Sequence, residues 1–237
     1  MSESIGRNPA SDSAAFSPAM ILDYTKRVIT DPAGFFQQMP RKGGFGAPLI
    51  YVIVIAVITA LVQVVLGMVG VGPAGMFAAG VAGLVLLPIL AVVGSFIGAA
   101  ILFVIWKLMG SEEDYETAYR CAAYAYGYAP VAALVSGIPY VGTLVQILWP
   151  TVLIVLATIH VHGRKPALAW GVFGILGVLA ALSLLGTEIA ARRFMSELEQ
   201  QMQHKYGDTE GEFTPEDAGR AVKDLLENLK KMEQEGR

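Results

Sequence analysis

The sequence predicts an all-α fold: a polytopic membrane bundle of five transmembrane helices, preceded by amphipathic helices and followed by a charged helical extension. Two observations carry this reading. Of the 237 residues, 54% are hydrophobic and only 16% charged, a balance outside the range of soluble domains. The apolar residues also fall in long charge-free runs, and about 20 helical residues suffice to cross a hydrocarbon core of about 30 Å.

Residues 1–19 mix Ser, Ala, Pro and charges without periodicity and cannot bury enough apolar area to offset the entropy of ordering, so a disordered N-terminus is expected. No apolar h-region occurs there, which excludes a cleaved signal peptide and leaves targeting to the first span. Residues 20–46 read as an amphipathic interfacial segment. Ile21, Leu22, Val28 and Ile29 recur at helical spacing, and Asp31-Pro32 supplies an N-cap followed by an N1 proline, giving two short helices. With Phe35, Phe36 and Met39 on one side and Lys26, Arg27, Arg41 and Lys42 nearby, the pair suits an anionic membrane face; a soluble-facing pair is the alternative.

The membrane domain is expected over 47–186, with spans at about 48–71, 81–106, 117–135, 142–159 and 167–186. No Asp, Glu, Lys, Arg or His lies between Gly43 and Trp106, and Trp106 suits an interface. The Gly-rich link "GVGPAGMFAAG" separates the first two spans. The third rests on 21 charge-free residues from Cys121 to Val141, whose backbone would be costly to leave bent within a leaflet. Arg7, Lys26, Arg27, Arg41, Lys42, Lys107, Arg120, Arg164 and Lys165 share one side of such a bundle, which makes the N-terminus cytoplasmic. The same topology exports the tail with its eight basic residues. Charge bias alone would prefer a cytoplasmic tail.

Residues 187–237 form the charged tail, with 12 acidic and 8 basic residues from Glu188 onward. Met195, Leu198 and Met202 lie on one heptad stripe and Val222, Leu225 and Leu229 on another, with Thr214-Pro215 opening the second helix. An oligomerising hairpin or coil and a surface helix docking on its own bundle fit equally.

Six of the nine tyrosines fall between residues 115 and 142. On a helix Tyr115, Tyr119 and Tyr126 share one face and Tyr124 and Tyr128 the other. Tyr115 and Tyr119 read as headgroup-level anchors, and Glu116 to Arg120 as an i, i+4 pair. Tyr128 lies about 12 Å deeper than Arg120 at about 1.5 Å per residue, so a phenol there needs a partner. Pro130 frees the Tyr126 carbonyl. Structural packing and a polar cleft formed by Tyr124, Tyr128, Gln63 and Gln146 both remain open.

The chemistry of catalysis is missing. No metalloprotease HExxH, GxSxG elbow or Walker loop occurs, so no catalytic residue and no cofactor are assigned. His160 and His162, at i and i+2, point about 200° apart on a helix and do not make a metal pair. The single cysteine, Cys121, excludes an intrachain disulfide. A net charge of −3 without a basic stripe argues against nucleic acid. Gly94 and Gly98 in the second span, and Gly171 and Gly174 in the fifth, would let helices approach closely.

The order of these features resembles the Yip1-domain membrane proteins of bacterial type. The likeness runs from about Ile21 to Gly186 and rests on the lead "YTKRVITDPAGFF", a span, and "WKLMGSEEDYETAYRCAAYAYGYAP" between spans two and three. It implies a five-helix bundle with a cytoplasmic N-terminus in the bacterial inner membrane. Eukaryotic members are linked to vesicle transport and prenylated GTPases, but their acidic "DLYGP"-type element is absent here. The expectation is a noncatalytic, self-associating scaffold or adaptor whose partners are the bilayer, further copies of itself and a membrane or peripheral protein. The rival is a small transporter, channel or lipid-handling protein using the Tyr-lined cleft.

Overall fold

The computed structural model describes residues 17–70 and 76–206, and these are helical without a strand among the described residues. The chain divides into two units, Met1–Leu185 and Gly186–Arg237. In the first, α1 (Pro18–Thr30) and α2 (Pro32–Gln38) lead into α3 (Gly46–Met68) and α4 (Met76–Leu108). Then come α5 (Tyr115–Ala125), a 3-10 turn (Tyr126–Tyr128), α6 (Ala129–Val135) and α7 (Val141–His160). A short α8 (Pro166–Ala169) passes through a π turn (Trp170–Gly174) into α9 (Ile175–Tyr206).

Four helical stretches are long and apolar enough to cross a membrane: Gly46–Met68, Gly80–Leu108, Val141–His160 and Pro166–Glu197. The segment expected as the third span is instead three linked pieces of 11, 3 and 7 residues. Proline is the cause. Pro130 has no N–H to give the carbonyl of Tyr126, which accepts from Ala129 N in a tighter turn. Gly127 sits in that turn against the Tyr51 hydroxyl, where a Cβ would collide.

The first two helices form as the caps dictate. Ser17 caps α1, and Asp31 Oδ1 accepts from Gly34 N at 3.0 Å with Pro32 in the first position of α2. Val28, Phe35, Phe36 and Met39 of this pair are buried in the same core as Tyr51, Trp106 and Tyr124. Leu22 stays exposed.

The core has an inverted logic. Of the first unit's longer helices, α5 is among the least apolar, yet eight of its 11 residues are buried. The apolar α3 and α4 keep Ile50, Ile58, Val85, Leu90 and Ile101 on their outer surfaces. Outer residues that face lipid and a polar-seamed interior are what a bilayer asks of a bundle, since burial among lipid tails gives apolar side chains no reason to turn inward.

Candidate functional site

One end of the first unit gathers three connections: the α2–α3 loop, the α4–α5 loop and the α7–α8 turn. Arg120, 3% exposed, ties the first of these to α5. Its guanidinium donates to Gly44 O at 2.7 Å and Pro40 O at 3.3 Å, and its Nε to Glu116 Oε1 at 3.3 Å. Glu116 Oε1 also accepts from Gly44 N at 2.7 Å, and Thr117 Oγ1 donates to Arg41 O at 3.2 Å. The loop can lie this close because Gly43, at φ 126°, has no side chain; a Cβ there would stand 2.9 Å from Arg120 Nη2. The i, i+4 pair expected from the sequence therefore belongs to a larger clamp.

Outside this clamp lie two exposed ion pairs, Arg41–Glu113 at 2.6 Å and Lys42–Asp114. Asp114 also caps α5 through Thr117 N at 3.0 Å. The Lys42 ammonium and the Thr117 N–H hold the Asp114 carboxyl down at about 2.

A second seam joins the α4–α5 loop to the α7–α8 turn. The indole of Trp106 donates to Thr158 Oγ1 at 2.8 Å and stacks on His162, with ring centroids 3.8 Å apart. His162 Nδ1 lies 2.8 Å from Ser111 Oγ, and its Nε2 lies 3.9 Å from Cys121 Sγ. Arg164 Nη1 donates to Met109 O at 3.2 Å. Burial, reinforced by Arg41, Arg164 and Lys107, lowers the His162 imidazole to about 3, so it is neutral. His160 faces elsewhere, with Nδ1 3.3 Å from Gln37 Nε2.

Three aromatic residues read as interface anchors are internal. Trp106 and Tyr119 are fully buried, and the partly buried Tyr115 turns its hydroxyl inward to Phe96 O at 2.9 Å. Tyr119 stacks on Phe96 at 4.3 Å and accepts from Ser95 Oγ at 3.4 Å. An amphipathic ring near the end of a span suits a headgroup layer and a polar seam alike; here the seam holds it.

Tyr124 and Tyr128 have different surroundings. Tyr124 is surrounded edge-on by Tyr24, Phe35 and Tyr51, with centroids 5.2, 5.8 and 5.3 Å away. Tyr51 in turn meets Thr25 Oγ1 at 2.9 Å. Tyr128 donates to the backbone carbonyl of Gln146 at 3.4 Å, while the Gln146 side chain is exposed and Gln63 lies partly exposed on α3. Tyr126 and Tyr128 form the floor of a groove of about 450 Å³ whose walls are α4, from Leu87 to Leu102, and α7 at Pro150 and Ile154. Periodicity does not reveal that groove, although the Gly94–Gly98 spacing marks its wall.

Compared with known families, residues 26–187 match the model of the Yip1 domain. The chain belongs to the Yip1 family. Comparisons with curated proteins and with solved structures return no match. The Yip1 match takes in both seams of the end that gathers the three connections, here called the cap, together with the 3-10 turn and the groove. Within the Yip1 domain Gly94, Gly98 and Gly171 meet open space where a Cβ would stand, and Gly174 meets the Trp170 ring at 3.1 Å. Close helix approaches occur at other glycines: a Cβ at Gly80 would stand 2.8 Å from the Val64 backbone and one at Gly177 2.6 Å from the Thr151 side chain. Beyond the Yip1 domain, Met195 is 64% exposed and Glu188 pairs with Arg192 at 2.8 Å. The side chains of Leu198 and Met202 lie outside the described part, as do residues Val222, Leu225 and Leu229 and the Thr214-Pro215 start.

Proposed function

We propose that this Yip1-family membrane protein is a noncatalytic scaffold or adaptor. Its polar side chains carry the reading: Arg120, Ser111, Trp106, Thr158 and His162 are engaged with one another or with backbone inside the protein. Polar groups so engaged make a rigid cap, whereas a conduit or a catalytic site needs some of them turned toward a passage or a substrate. The cap's outer rim carries the exposed ion pairs Arg41–Glu113 and Lys42–Asp114, which suits a surface for a peripheral protein partner.

In this reading the linked pieces from Tyr115 to Val135 together make the third of five crossings. They follow one helical path through a 3-10 turn, and residues 121–135 of it are free of charge. The cap is cytoplasmic, since Lys26, Arg27, Arg41, Lys42, Lys107, Arg164 and Lys165 gather on its side. The membrane is the bacterial inner membrane. Self-association uses the open Gly171 face and the tail stripe of Met195, Leu198, Met202, Val222, Leu225 and Leu229.

Reconstitution into liposomes tests the reading. A scaffold gives no solute flux while remaining oligomeric, and loses oligomer size when residues 208–237 are deleted. Robust flux abolished by Tyr128→Phe would replace it with a conduit, and an unchanged mass after the deletion would remove the tail's role.

A further inference from the structure

We infer that Lys107, Arg164 and Lys165 form a site for the phosphate of an anionic phospholipid, where two membrane-spanning stretches meet the headgroup layer. The site goes beyond the scaffold reading and needs only that Gly80–Leu108 and Pro166–Glu197 cross the bilayer. Lys107 is the last residue but one of the first stretch, and Arg164 and Lys165 come immediately before the second. A hydrogen bond joins the two ends, with Arg164 Nη1 donating to Met109 O at 3.2 Å. The approach is close because Gly110, at φ 85°, has no side chain; a Cβ there would stand 3.1 Å from the same nitrogen.

The partners of these cations set them apart from the rest of the cap. Arg41, Lys42 and Arg120 are paired with Glu113, Asp114 and Glu116. Lys107 instead donates to the backbone carbonyl of Glu112 at 3.2 Å, and Arg164 to the carbonyls of Met109 and His162. Among the described residues none of the three forms an ion pair, although Glu112 is exposed in the same loop. A carbonyl is a neutral dipole, so it orients a cation without cancelling its charge. That charge is felt inside the cap as well: after burial itself, Arg41, Arg164 and Lys107 hold the His162 imidazole down at about 3. Cations gathered without a counter-ion repel one another, and a bound anion relieves that cost.

The surroundings favour a lipid over a soluble anion. Leu108 follows Lys107 and is 83% exposed, and Leu168 and Trp170 are exposed just beyond Lys165. Trp170 lies four helical steps past Pro166, about 6 Å deeper, where an indole suits the boundary between headgroups and hydrocarbon. Basic residues between the ends of spans attract anionic headgroups. The apolar side chains beside them meet the acyl chains of the same lipid, a contact that a free anion leaves unused.

The test measures which phospholipid the full chain keeps when it is released into native mass spectrometry from nanodiscs of equal parts phosphatidylglycerol and phosphatidylcholine. Phosphatidylglycerol is expected to be retained about tenfold better, and Lys107→Gln and Lys165→Gln each to lower that preference about fivefold, the effect of one cation near a membrane surface. Both lysines are exposed, so the variants keep the fold. Lys26→Gln removes the same charge from the exposed side of α1 and should leave the preference at the parent level. Equal retention of the two lipids by the unmodified chain overturns the inference without any variant. An equal drop in Lys26→Gln also overturns it, since diffuse attraction to a basic surface then suffices. Excess inorganic phosphate is expected to leave the phosphatidylglycerol bound; displacement would make the occupant a free anion and overturn the assignment to a lipid.

Discussion

The Trp106 indole lies flat on the His162 imidazole, 3.8 Å between centroids and 22° between planes, while its N–H bonds to Thr158. One side chain at the end of α4 thereby holds both α7 and the turn that follows it. Trp106→Ala removes a fully buried ring and is expected to cost about 3–5 kcal/mol. Trp106→Phe keeps most of the stack but loses the donor, and Thr158 still reaches Ile154 O at 2.6 Å, so the cost drops to about 1–2 kcal/mol. Denaturant unfolding in detergent measures both.

His162 makes stability depend on pH. In the unfolded chain its imidazole takes up a proton near the ordinary value of about 6.5. In the folded protein it does so only at about 3. Between these values the unfolded state binds more protons, so this contribution is full above the unfolded value and is lost as pH falls from about 6.5 toward about 3. Asp114, held at about 2, adds loss of the same sign but only within the carboxylate range. The unfolding midpoint is therefore expected to fall already between pH 6.5 and 5, and His162→Asn, which retains a partner for Ser111, should flatten that part of the curve.

Arg120 is the residue on which the α2–α3 loop depends. Arg120→Met leaves the carbonyls of Pro40 and Gly44 without their donor and the Glu116 carboxylate held by Gly44 N without its cation, at an expected cost of about 3–5 kcal/mol. Lys42→Ala breaks only an exposed pair and should leave stability nearly unchanged. Limited trypsinolysis separates the two: cleavage after Arg41 accelerates in Arg120→Met and stays slow in Lys42→Ala.

Much of the fold was legible because caps and charge-free runs are local signals. Asp31-Pro32 placed the start of α2, and the runs beginning at Pro48, Val81 and Gly142 correspond to three of the long helices. The site was not legible, because its bonds join residues far apart in the chain: Arg41 to Glu113, Arg120 to Gly44 and Trp106 to Thr158. Periodicity showed that Phe35, Phe36 and Met39 share a side, but not whether lipid or protein covers it. Tyr124 and Tyr128 show the same boundary, since a shared helix face did not reveal that one meets Tyr24 and Tyr51 while the other reaches α7.

The glycines give a stability contrast. Gly127→Ala puts a methyl into the Tyr51 hydroxyl, which is held by Thr25, and overpacking of this kind costs about 1–3 kcal/mol. Gly94→Ala adds a methyl that meets nothing in the chain and should be neutral or favourable by about 0.5–1 kcal/mol, the helix preference for Ala. Thermal unfolding of the two variants in one detergent should therefore move in opposite directions from the parent, or move only for Gly127→Ala.

The side of the membrane on which the chain ends depends on the pieces from Tyr115 to Val135. If they cross, five crossings separate the N-terminus from the tail; if they fold back at the 3-10 turn, four crossings return the tail to the cap's side. Charge bias favours the second, through Arg192 and Arg193 beside the last apolar stretch. Backbone satisfaction favours the first, because a reversal within the core would have to break helical hydrogen bonds, and the turn keeps them, with Ala129 N bonded to Tyr126 O. Each unsatisfied backbone group in hydrocarbon costs several kcal/mol, more than two exposed arginines near the end of a span contribute. A reporter fused after Arg237 that is active only outside the cytoplasm should therefore be active, and one placed at residue 2 silent. Activity reversed at the C-terminal fusion would mean that the tyrosine segment enters and leaves on one side.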